Sequence, residues 1–248
     1  YIEYGEKHIL LDTGASDLFV QNAEKLGLDL SAVDAAVLSH AHYDHANGME
    51  AFFRCNSRAK FYVGHTCGAD CYYKKLFLRR YIGVPKTVLQ DFQDRVVYAG
   101  KEPMEILPGV YLAPHKTVGL ARVGRRENMY RRCNGRWVPD DFSHEQSLVL
   151  DTEKGLVIFN SCSHGGAADI IREVAGMFPG KTVYAIIGGF HLYNKSKPEV
   201  LALAKEIQQT GIAYVCTGHC TGEQAYQLLH RELGEKLHPL QVGLVMEF

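Results

Sequence analysis

The sequence predicts an α/β protein, and three observations support this class. Short apolar runs of strand length alternate with amphipathic segments of helical period near both ends of the chain. Two such runs, SLVLD and GLVIF, are joined by a charged turn and predict a β-hairpin. Histidines follow several apolar runs directly, which is where an α/β sheet collects its functional groups.

Residues 1–65 carry the first series of alternating elements. Each predicted strand is an apolar run, and each predicted helix has apolar residues three or four positions apart. In chain order these elements are the strand HILLD, the helix SDLFVQNAEKLG ending at Gly27, a strand at 34–39, a helix at about 46–54 and the strand KFYVGH.

Residues 66–135 depart from this alternation, and we predict them to be an inserted α+β segment. A helix is expected over ADCYYKKLFLRRYIG, with Leu76, Phe77 and Tyr81 in the core and the charged residues outside. The same basic, amphipathic sequence is also compatible with a surface for a partner or a membrane. Weak strand patterns follow in TVLQDFQDRVVYAG and EILPGVYLAP, with a loop rich in Arg and Gly after them.

Residues 136–248 return to alternation, beginning with the predicted hairpin. The later elements are the helix AADIIREVAGMF, the strand TVYAIIGGF, the helix PEVLALAKEIQQTG, the strand IAYVCTG, the helix GEQAYQLLHREL and the strand QVGLVMEF.

The composition excludes several classes of protein. The 248 residues carry a formal net charge of −1, so no overall field favours nucleic acid or an anionic membrane as a partner. No apolar run approaches the roughly 20 residues of a membrane span. Seven scattered cysteines favour buried free thiols in a reducing, cytoplasmic protein. The chain opens inside a predicted strand without a signal-peptide pattern, which leaves open whether a preceding strand was removed or omitted.

The segment VLSHAHYDHANGM places three histidines and an aspartate at the end of an apolar run. His40 and His42 are two residues apart, so on an extended backbone both imidazoles point to the same side. Asp44 and His45 follow where the chain is expected to turn into a helix. There they are expected to face a second metal position close to the one that His40 and His42 face. Imidazole and carboxylate ligands at this spacing predict zinc or iron binding rather than a solvated polar loop.

The pattern HxHxDH, together with ILLDTG before it, resembles the metallo-β-lactamase superfamily. The resemblance implies an αββα sandwich formed by residues 1–65 and 136–248, with residues 66–135 inserted. It also implies that Asp12 orients the histidine loop without binding metal itself. The motifs CSHGG, GGFHL and TGHCTG narrow the resemblance to the branch of 7,8-dihydropterin-6-methyl-4-(β-D-ribofuranosyl)aminobenzene-5′-phosphate synthase-like proteins.

The family completes its metal site with ligands at the ends of further strands, and the resemblance assigns candidates around the predicted hairpin. His144 has the position of a family histidine that precedes the hairpin. Cys162 stands where many members have a metal-bridging aspartate, which is a departure from the family pattern. His164, two residues later, is expected to take over coordination, and a thiolate of Cys162 is the alternative ligand.

Two later histidines follow apolar strands directly. His219 resembles the last metal ligand of the superfamily, and the glycine before it lets the backbone approach closely. His191 is not needed to complete the number of metal ligands that the superfamily commonly has. It could bind metal, act as an acid or contact an anionic substrate, and the sequence leaves these three roles open. The remaining histidines are expected to be structural or solvent-facing: His8, His65, His115, His230 and His238.

This ligand set predicts a dinuclear metal site in a metal-dependent hydrolase. Two divalent ions, zinc first and iron or manganese as alternatives, lower the pKa of a water ligand from about 15.7 towards neutrality. Asp44 is expected to orient or deprotonate that water, so no serine or cysteine nucleophile is required. The alternative is a non-hydrolytic metal protein on the same fold, either a di-iron redox protein or a sensor.

An arginine-rich stretch, ARVGRRENMYRRCNGR, indicates the chemistry of the substrate. Arginine forks bind phosphate and carboxylate groups, so we expect a small anionic substrate, a phosphorylated one in particular, held by Arg131 and Arg132. The alternative is a solvated surface loop. We expect no nucleic-acid or membrane partner, and the sequence predicts no oligomeric state.

Overall fold

The chain divides into two structural units in the computed structural model, which describes residues 1–68 and 70–248. Unit 1 comprises residues 1–101 and 118–146, and unit 2 comprises residues 102–117 and 147–248. These boundaries differ from those of the segment predicted to be inserted, whose status as an insertion stays a prediction.

Strands and helices alternate along most of the described residues. The strands are β1 (Ile2–Tyr4), β2 (Lys7–Leu11), β3 (Ala35–Val37), β4 (Lys60–Val63), β5 (Cys71–Lys75), β6 (Leu78–Tyr81), β7 (Val96–Tyr98), β8 (Met104–Leu107), β9 (Val110–Pro114), β10 (Met129–Cys133), β11 (Arg136–Pro139), β12 (Gln146–Thr152), β13 (Gly155–Phe159), β14 (Val183–Gly188), β15 (Tyr214–Gly218) and β16 (Leu237–Leu240). The helices are α1 (Leu18–Lys25), α2 (Tyr43–Ala46), α3 (Met49–Cys55), α4 (Val88–Asp91), α5 (Leu120–Arg126), α6 (Ala167–Met177), α7 (Lys197–Gln209) and α8 (Glu223–Leu233).

Unit 1 contains a five-stranded sheet in the order β1-β2-β3-β4-β7. The strands β2, β3 and β4 are parallel, so their carboxyl ends lie at one edge of the sheet. All of β3 is buried, which explains its uninterrupted run of small apolar residues. Leu38, Phe52 and Phe61 belong to the same core cluster, and the rings of Phe52 and Phe61 are 5.6 Å apart.

A second sheet of unit 1, in the order β11-β10-β5-β6, corrects one prediction. The helix expected over ADCYYKKLFLRRYIG is wrong, because β5 and β6 form an antiparallel hairpin that turns at Leu76 and Phe77. These two side chains are 80% and 95% exposed, so their expected place in the core is also wrong. Pairing of β5 with β10 and the contact between the rings of Tyr72 and Trp137 stabilise extended backbone over the local helical pattern. Ala69, within the predicted helix, lies outside the described residues.

Unit 2 contains a seven-stranded sheet in the order β16-β15-β14-β13-β12-β9-β8. The predicted hairpin is confirmed, since β12 and β13 are antiparallel and the turn joins Thr152 to Gly155. The strands from β13 to β16 are parallel, so the ends of β13, β14 and β15 lie side by side at one edge. Helices α6, α7 and α8 bury apolar side chains in the core of this unit, among them Ile170, Val174, Val200, Ile207 and Leu229.

Two further differences from the predicted elements concern chain segments with weak local patterns. The strand predicted over QVGLVMEF is wrong: β16 precedes it and pairs with β15, while Val242 and Val245 are 91% and 83% exposed. An apolar run forms a strand only where a partner edge is available, and β16 already occupies the edge of β15. The arginine- and glycine-rich loop contains α5, β10 and β11. Within the described ranges, no helix combines the length and apolar character needed to cross a membrane.

Candidate metal centre

Among the residues that the structure describes, imidazole, carboxylate and thiol side chains gather near strand ends in both units. The histidine-loop cluster of unit 1 consists of Asp12, His40, His42, Asp44 and His45. The strand-end cluster of unit 2 consists of Cys162, His164, His191, His219 and Cys220.

The three histidines of the histidine-loop cluster lie close together. The loop that follows β3 ends at His42, which precedes the first turn of α2 with an extended backbone (φ −104°, ψ 147°). The ring centroids of His40 and His42 are 4.6 Å apart, and those of His40 and His45 are 4.2 Å apart. All three side chains are buried. The short loop and the start of α2 therefore bring these imidazoles together within unit 1.

Asp12 binds this loop through its carboxylate. Its Oδ1 accepts a hydrogen bond from Ser39 N–H at 2.7 Å, and its Oδ2 accepts from Ser39 Oγ and His45 Nδ1, both at 2.7 Å. Because the single hydroxyl proton of Ser39 is donated to Asp12, Ser39 Oγ accepts from His40 Nδ1 at 2.9 Å. Neutral His40 and His45 thus carry their proton on Nδ1 and place the lone pair on Nε2. In metal sites generally, a hydrogen-bond partner on one ring nitrogen orients the imidazole whose other nitrogen binds the metal.

The charges of Asp12, Asp44 and His45 are strongly coupled. Burial lowers the pKa of His45, but the Asp12 and Asp44 carboxylates outweigh burial and raise it to about 10. Burial raises the pKa of Asp44, whereas the adjacent His45 outweighs burial and holds that pKa well below its usual range. Asp44 Oδ2 is 3.4 Å from His45 Nε2. Metal binding at Nε2 requires the neutral imidazole, so it would release the proton that these carboxylates stabilise.

Asp140, which sequence reasoning did not single out, is buried beside His42 and His144. Ala41 N–H donates to His144 Nδ1 at 3.1 Å, so His144 Nε2 carries the proton and donates to Asp140 Oδ2 at 3.2 Å. His42 Nε2 is 3.8 Å from the same carboxylate oxygen. The only sequence signal for Asp140 is its position four residues before His144 in PDDFSHE.

Both ring nitrogens of His144 therefore contact protein groups, and its role as a metal ligand stays a prediction. Burial raises the pKa of Asp140, but His144 and His42 outweigh burial and hold it well below its usual range. Burial lowers the pKa of His42 and so favours the neutral imidazole, the form that binds metal. Cys71 is buried next to them, and the ligand atoms of His42, Cys71, Asp140 and His144 lie within 4.8 Å of one another.

The strand-end cluster is built by three neighbouring parallel strands of unit 2. The strands β13, β14 and β15 end at Phe159, Gly188 and Gly218, and the chain turns sharply after each of them. The first turn carries Cys162 and His164, the second carries His191, and the third carries His219 and Cys220.

The side chains of this cluster approach one another closely. The ligand atoms of Cys162, His164 and His191 lie within 4.8 Å of one another, and so do those of Cys162, His219 and Cys220. The rings of His164 and His191 have centroids 4.5 Å apart. The Cys162 thiol lowers the pKa of Cys220, burial opposes it, and the two nearby histidines His191 and His219 bring the pKa to about 4. This cluster is therefore a second donor set of imidazole and sulfur.

The backbone of these turns adopts conformations that are rare for residues other than glycine. Ser163, His191 and His219 have φ values of 48°, 50° and 50°. Such conformations concentrate at functional sites, where the surrounding structure maintains them. Gly188 allows two turns to meet, because a Cβ at this position would lie 1.7 Å from the carbonyl oxygen of Asn160.

A buried hydrogen-bond chain supports the turn that carries Cys162 and His164. Asn160 Oδ1 accepts from Ser163 N–H at 2.6 Å, and Asn160 Nδ2 donates to His115 Nε2 at 2.9 Å. The opposite nitrogen of this ring, His115 Nδ1, donates to Glu173 Oε2 at 3.2 Å. His115, expected to be structural or solvent-facing, is therefore a structural residue.

The two arginines predicted to bind substrate have different surroundings. Arg131 is buried, and its guanidinium donates to the Asp70 carboxylate at 3.0 Å and to the Thr66 carbonyl at 2.8 Å. Burial lowers the pKa of Arg131, but the nearby charges of Asp70 and Asp140 and the hydrogen bond to Asp70 contribute to a net rise. Arg132 is exposed, with its guanidinium 5.8 Å from the centre of the Trp137 ring. A substrate-binding role for either arginine stays a prediction.

The donor chemistry of the histidine-loop cluster fits a divalent metal. Buried imidazoles with Nδ1 held by a hydrogen-bond partner, together with a nearby carboxylate, are typical of zinc, iron and manganese sites. His40, His42, Asp44 and His45 are the residues that would hold the ion.

Comparisons with known proteins agree with these features. Residues 1–126 match the family model described as the metallo-beta-lactamase superfamily. A curated relative from Methanocaldococcus jannaschii, 7,8-dihydropterin-6-methyl-4-(beta-D-ribofuranosyl)-aminobenzene-5′-phosphate synthase, is 27% identical over an alignment of 256 positions. The alignment covers 98% of this chain and 85% of the relative. The predicted resemblance to that branch is confirmed.

Solved structures share the fold. A metal-dependent hydrolase of the beta-lactamase superfamily matches with a TM-score of 0.81 and 30% identity, over 97% of this chain and 88% of the other. The metallo-beta-lactamase fold protein YhfI from Bacillus subtilis matches with a TM-score of 0.57 and 13% identity, over 98% and 88% of the two chains. A diphosphatase from the PhnP family matches with a TM-score of 0.55 and 14% identity, over 99% and 82%. The last two likenesses concern the fold alone.

The α/β class and the metallo-β-lactamase fold predicted from the sequence are thus confirmed. The chain belongs to the metallo-β-lactamase superfamily.

Proposed function

We propose that the protein is a metal-dependent hydrolase that acts on a small anionic substrate. The observation that carries this proposal is the contact of Asp12 with Ser39 and His45, which orients the imidazoles of His40 and His45 with Nδ1 protonated. A chain gains little stability from crowding buried imidazoles around one carboxylate, whereas a metal site requires such an arrangement. The similar metal-dependent hydrolase, 30% identical, supports the same reaction class.

The residues of the histidine-loop cluster have distinct proposed roles. His40, His42 and His45 bind metal, and Asp44 binds metal and orients the attacking water. When bound, divalent metal ions lower the pKa of a coordinated water and stabilise the negative charge that develops during the reaction. The Asp12 carboxylate keeps the imidazoles oriented and takes no part in proton transfer to the substrate.

The proposed site has two metal ions. Zinc is the favoured metal, and iron and manganese are the alternatives. His144, His164 and His219 are the further proposed ligands, and His191 is proposed as an acid or as a contact to the anionic group. Histidine-rich donor sets with few carboxylates favour zinc over a di-iron redox centre. The seven cysteines scattered through the sequence are the basis for the proposed cytoplasmic location.

The proposed anionic group of the substrate is a phosphate. The relative from Methanocaldococcus jannaschii is named for a compound that carries a 5′-phosphate, and that relative matches 98% of this chain. Arg132 is exposed in a segment with several other arginines, and guanidinium groups bind phosphate through paired hydrogen bonds. Arg131 was predicted with it, but its guanidinium is engaged by Asp70.

A non-hydrolytic function is the second candidate, and one observation favours it. The curated relative is a synthase, so group transfer at the same metal centre is an alternative to hydrolysis. The sequence analysis adds two other non-hydrolytic functions on the same fold, a di-iron redox function and a sensor function.

Metal analysis combined with an activity screen tests the proposal. The purified protein is analysed for metals before and after reconstitution with Zn²⁺, Mn²⁺ or Fe²⁺, and is then assayed with p-nitrophenyl phosphate, bis-p-nitrophenyl phosphate and a thioester. We expect turnover that a chelator abolishes and one of these metals restores. Metal-linked oxygen reduction without hydrolysis would instead support the redox alternative.

Matched histidine variants locate the activity. His42→Ala should abolish turnover, whereas His230→Ala, which removes an exposed imidazole from α8, should leave it unchanged. Failure of the reconstituted protein to bind metal, or equal turnover by the His42→Ala variant and the unaltered protein, would contradict the proposal.

A further inference from the structure

Cys162 and Cys220 form a close pair of thiols in unit 2. The two residues are 58 positions apart in the sequence, yet their Sγ atoms are 3.5 Å apart. Cys162 follows β13 and Cys220 follows β15, so each cysteine belongs to a turn at the carboxyl edge of the same sheet. Neither cysteine forms a disulfide in the structure.

The surrounding backbone maintains this contact. His191 N–H donates a hydrogen bond to Cys220 Sγ at 3.3 Å. Gly189 leaves room for the sulfur, because a Cβ at this position would lie 2.6 Å from Cys220 Sγ. The two sulfur atoms are therefore held next to each other by main-chain geometry as well as by their own side chains.

The separation of the two sulfur atoms is not much longer than a disulfide bond. A disulfide bond is about 2.05 Å long, so the sulfur atoms need to approach by about 1.5 Å. Cys220 is only half-buried and Cys162 is buried, which makes Cys220 the sulfur that a small oxidant reaches first.

We propose that Cys162 and Cys220 are an oxidation site that forms a reversible intramolecular disulfide with a hydroperoxide as the oxidant. This inference concerns the thiols themselves and does not depend on the proposed hydrolase activity. The disulfide would join the turn after β13 to the turn after β15, and so it would link the segments that carry His164 and His219.

The reaction proceeds in two balanced steps. Cys220 sulfur attacks the terminal oxygen of the hydroperoxide, an S–O bond forms, the O–O bond breaks, and the departing alkoxide takes up the thiol proton to give an alcohol. Cys162 sulfur then attacks Cys220 sulfur, the S–S bond forms, and the S–O bond breaks as water leaves with the Cys162 proton. Two thiols lose two electrons in total, and one hydroperoxide gains them.

Peroxide titration of the protein tests the inference. The protein as isolated is treated with hydrogen peroxide, denatured and alkylated, and the remaining thiols are counted. We expect the count to fall from the seven cysteines of the sequence to five, and to return to seven after treatment with a dithiol reductant. A count that stays at seven would overturn the inference.

Peptide mapping identifies the partners. Trypsin should release residues 155–172, which contain Cys162, joined to residues 206–231, which contain both Cys216 and Cys220. Cys216→Ser is the matched control because it removes the buried thiol from the same peptide, and the cross-link should persist in this variant. A cross-link to Cys216, or a sulfinic acid at Cys220 with Cys162 still alkylated, would also overturn the inference.

A second variant tests the order of the steps. Cys162→Ser removes the thiol that resolves the oxidised sulfur, so Cys220 should accumulate as a sulfenic acid that dimedone traps. The unaltered protein should show little dimedone adduct because the disulfide forms instead. If Cys162→Ser does not fold, the peptide map of the unaltered protein decides the inference alone.

Discussion

Asp12 Oδ2 accepts a hydrogen bond from His45 Nδ1 at 2.7 Å, across 33 positions of the sequence. The same oxygen accepts from Ser39 Oγ, which in turn accepts from His40 Nδ1. One carboxylate thus sets the tautomer of two imidazoles on the histidine loop. We therefore propose that Asp12, which makes no proposed bond to metal, controls how well the loop binds metal.

Replacing Asp12 should weaken metal binding without removing a ligand. In Asp12→Asn the amide cannot accept every hydrogen bond that the carboxylate accepts, so His40 and His45 lose their fixed orientation. We expect metal affinity to fall about 10–100-fold, the range found when such orienting residues are changed. Competition with a chromophoric chelator measures the affinity. Asp17→Asn, at an exposed position, is the control, and an unchanged affinity in Asp12→Asn would refute the orienting role.

Asp140 should contribute to stability through its contact with His144. Asp140→Asn replaces a buried carboxylate that accepts from His144 Nε2, and a hydrogen bond to a charged group contributes about 1.5–3 kcal/mol. We expect the free energy of unfolding, measured by urea denaturation, to fall by that amount. Asp94→Asn changes an exposed side chain and should have little effect. Equal stability of the two variants would show that the buried contact does not stabilise the fold.

Glu173 should make the stability of the protein depend on pH in the acidic range. Burial raises its pKa, but hydrogen bonds from His115 and Thr117 outweigh burial and lower the pKa below its ordinary value of 4.5. A carboxyl group whose pKa is lower in the folded state binds protons more readily when unfolded, so its stabilisation is lost as pH falls.

Comparison of Glu173→Gln with the unaltered protein isolates this effect. The difference in the free energy of unfolding should be full above pH 4.5, where the unfolded glutamate is ionised, and should shrink as the pH falls through the lower folded pKa. Urea denaturation between pH 7 and about 3 measures it. Glu153→Gln, in the exposed turn of the β12–β13 hairpin, should show no such trend, and a pH-independent difference at Glu173 would contradict the assignment.

Substitution of Arg132 should affect substrate binding, whereas substitution of Arg131 should affect stability. Arg132→Ala removes an exposed guanidinium, so we expect KM for a phosphate-bearing substrate to rise about tenfold, equivalent to about 1.4 kcal/mol, with stability unchanged. Arg131→Ala removes the partner of Asp70 and should lower the melting temperature. Steady-state kinetics and thermal unfolding on both variants separate the two effects. An unchanged KM in Arg132→Ala would argue against phosphate recognition by this residue.

The candidate ligands at strand ends could be predicted from the sequence because local pattern determines their positions. His40 and His42 follow a buried run, and His191 and His219 follow parallel strands whose ends must share one edge of a sheet. Asp140 could not be predicted in this way. Its importance comes from burial against His144 and His42, and its position four residues before His144 does not by itself distinguish it from the exposed Asp141 beside it.

The sequence by itself determined the α/β class, most strands and helices, the family and the HxHxDH loop, since periodicity and short motifs are local properties of the chain. Only the tertiary structure decided that Leu76 and Phe77 form an exposed hairpin turn, and that Cys162 meets Cys220. The reason is that these features depend on which distant strands pair and how closely their ends approach. Hydrogen bonding and packing between segments far apart in the chain overrode the local helical pattern in the hairpin, and they created a thiol contact that no short motif encodes.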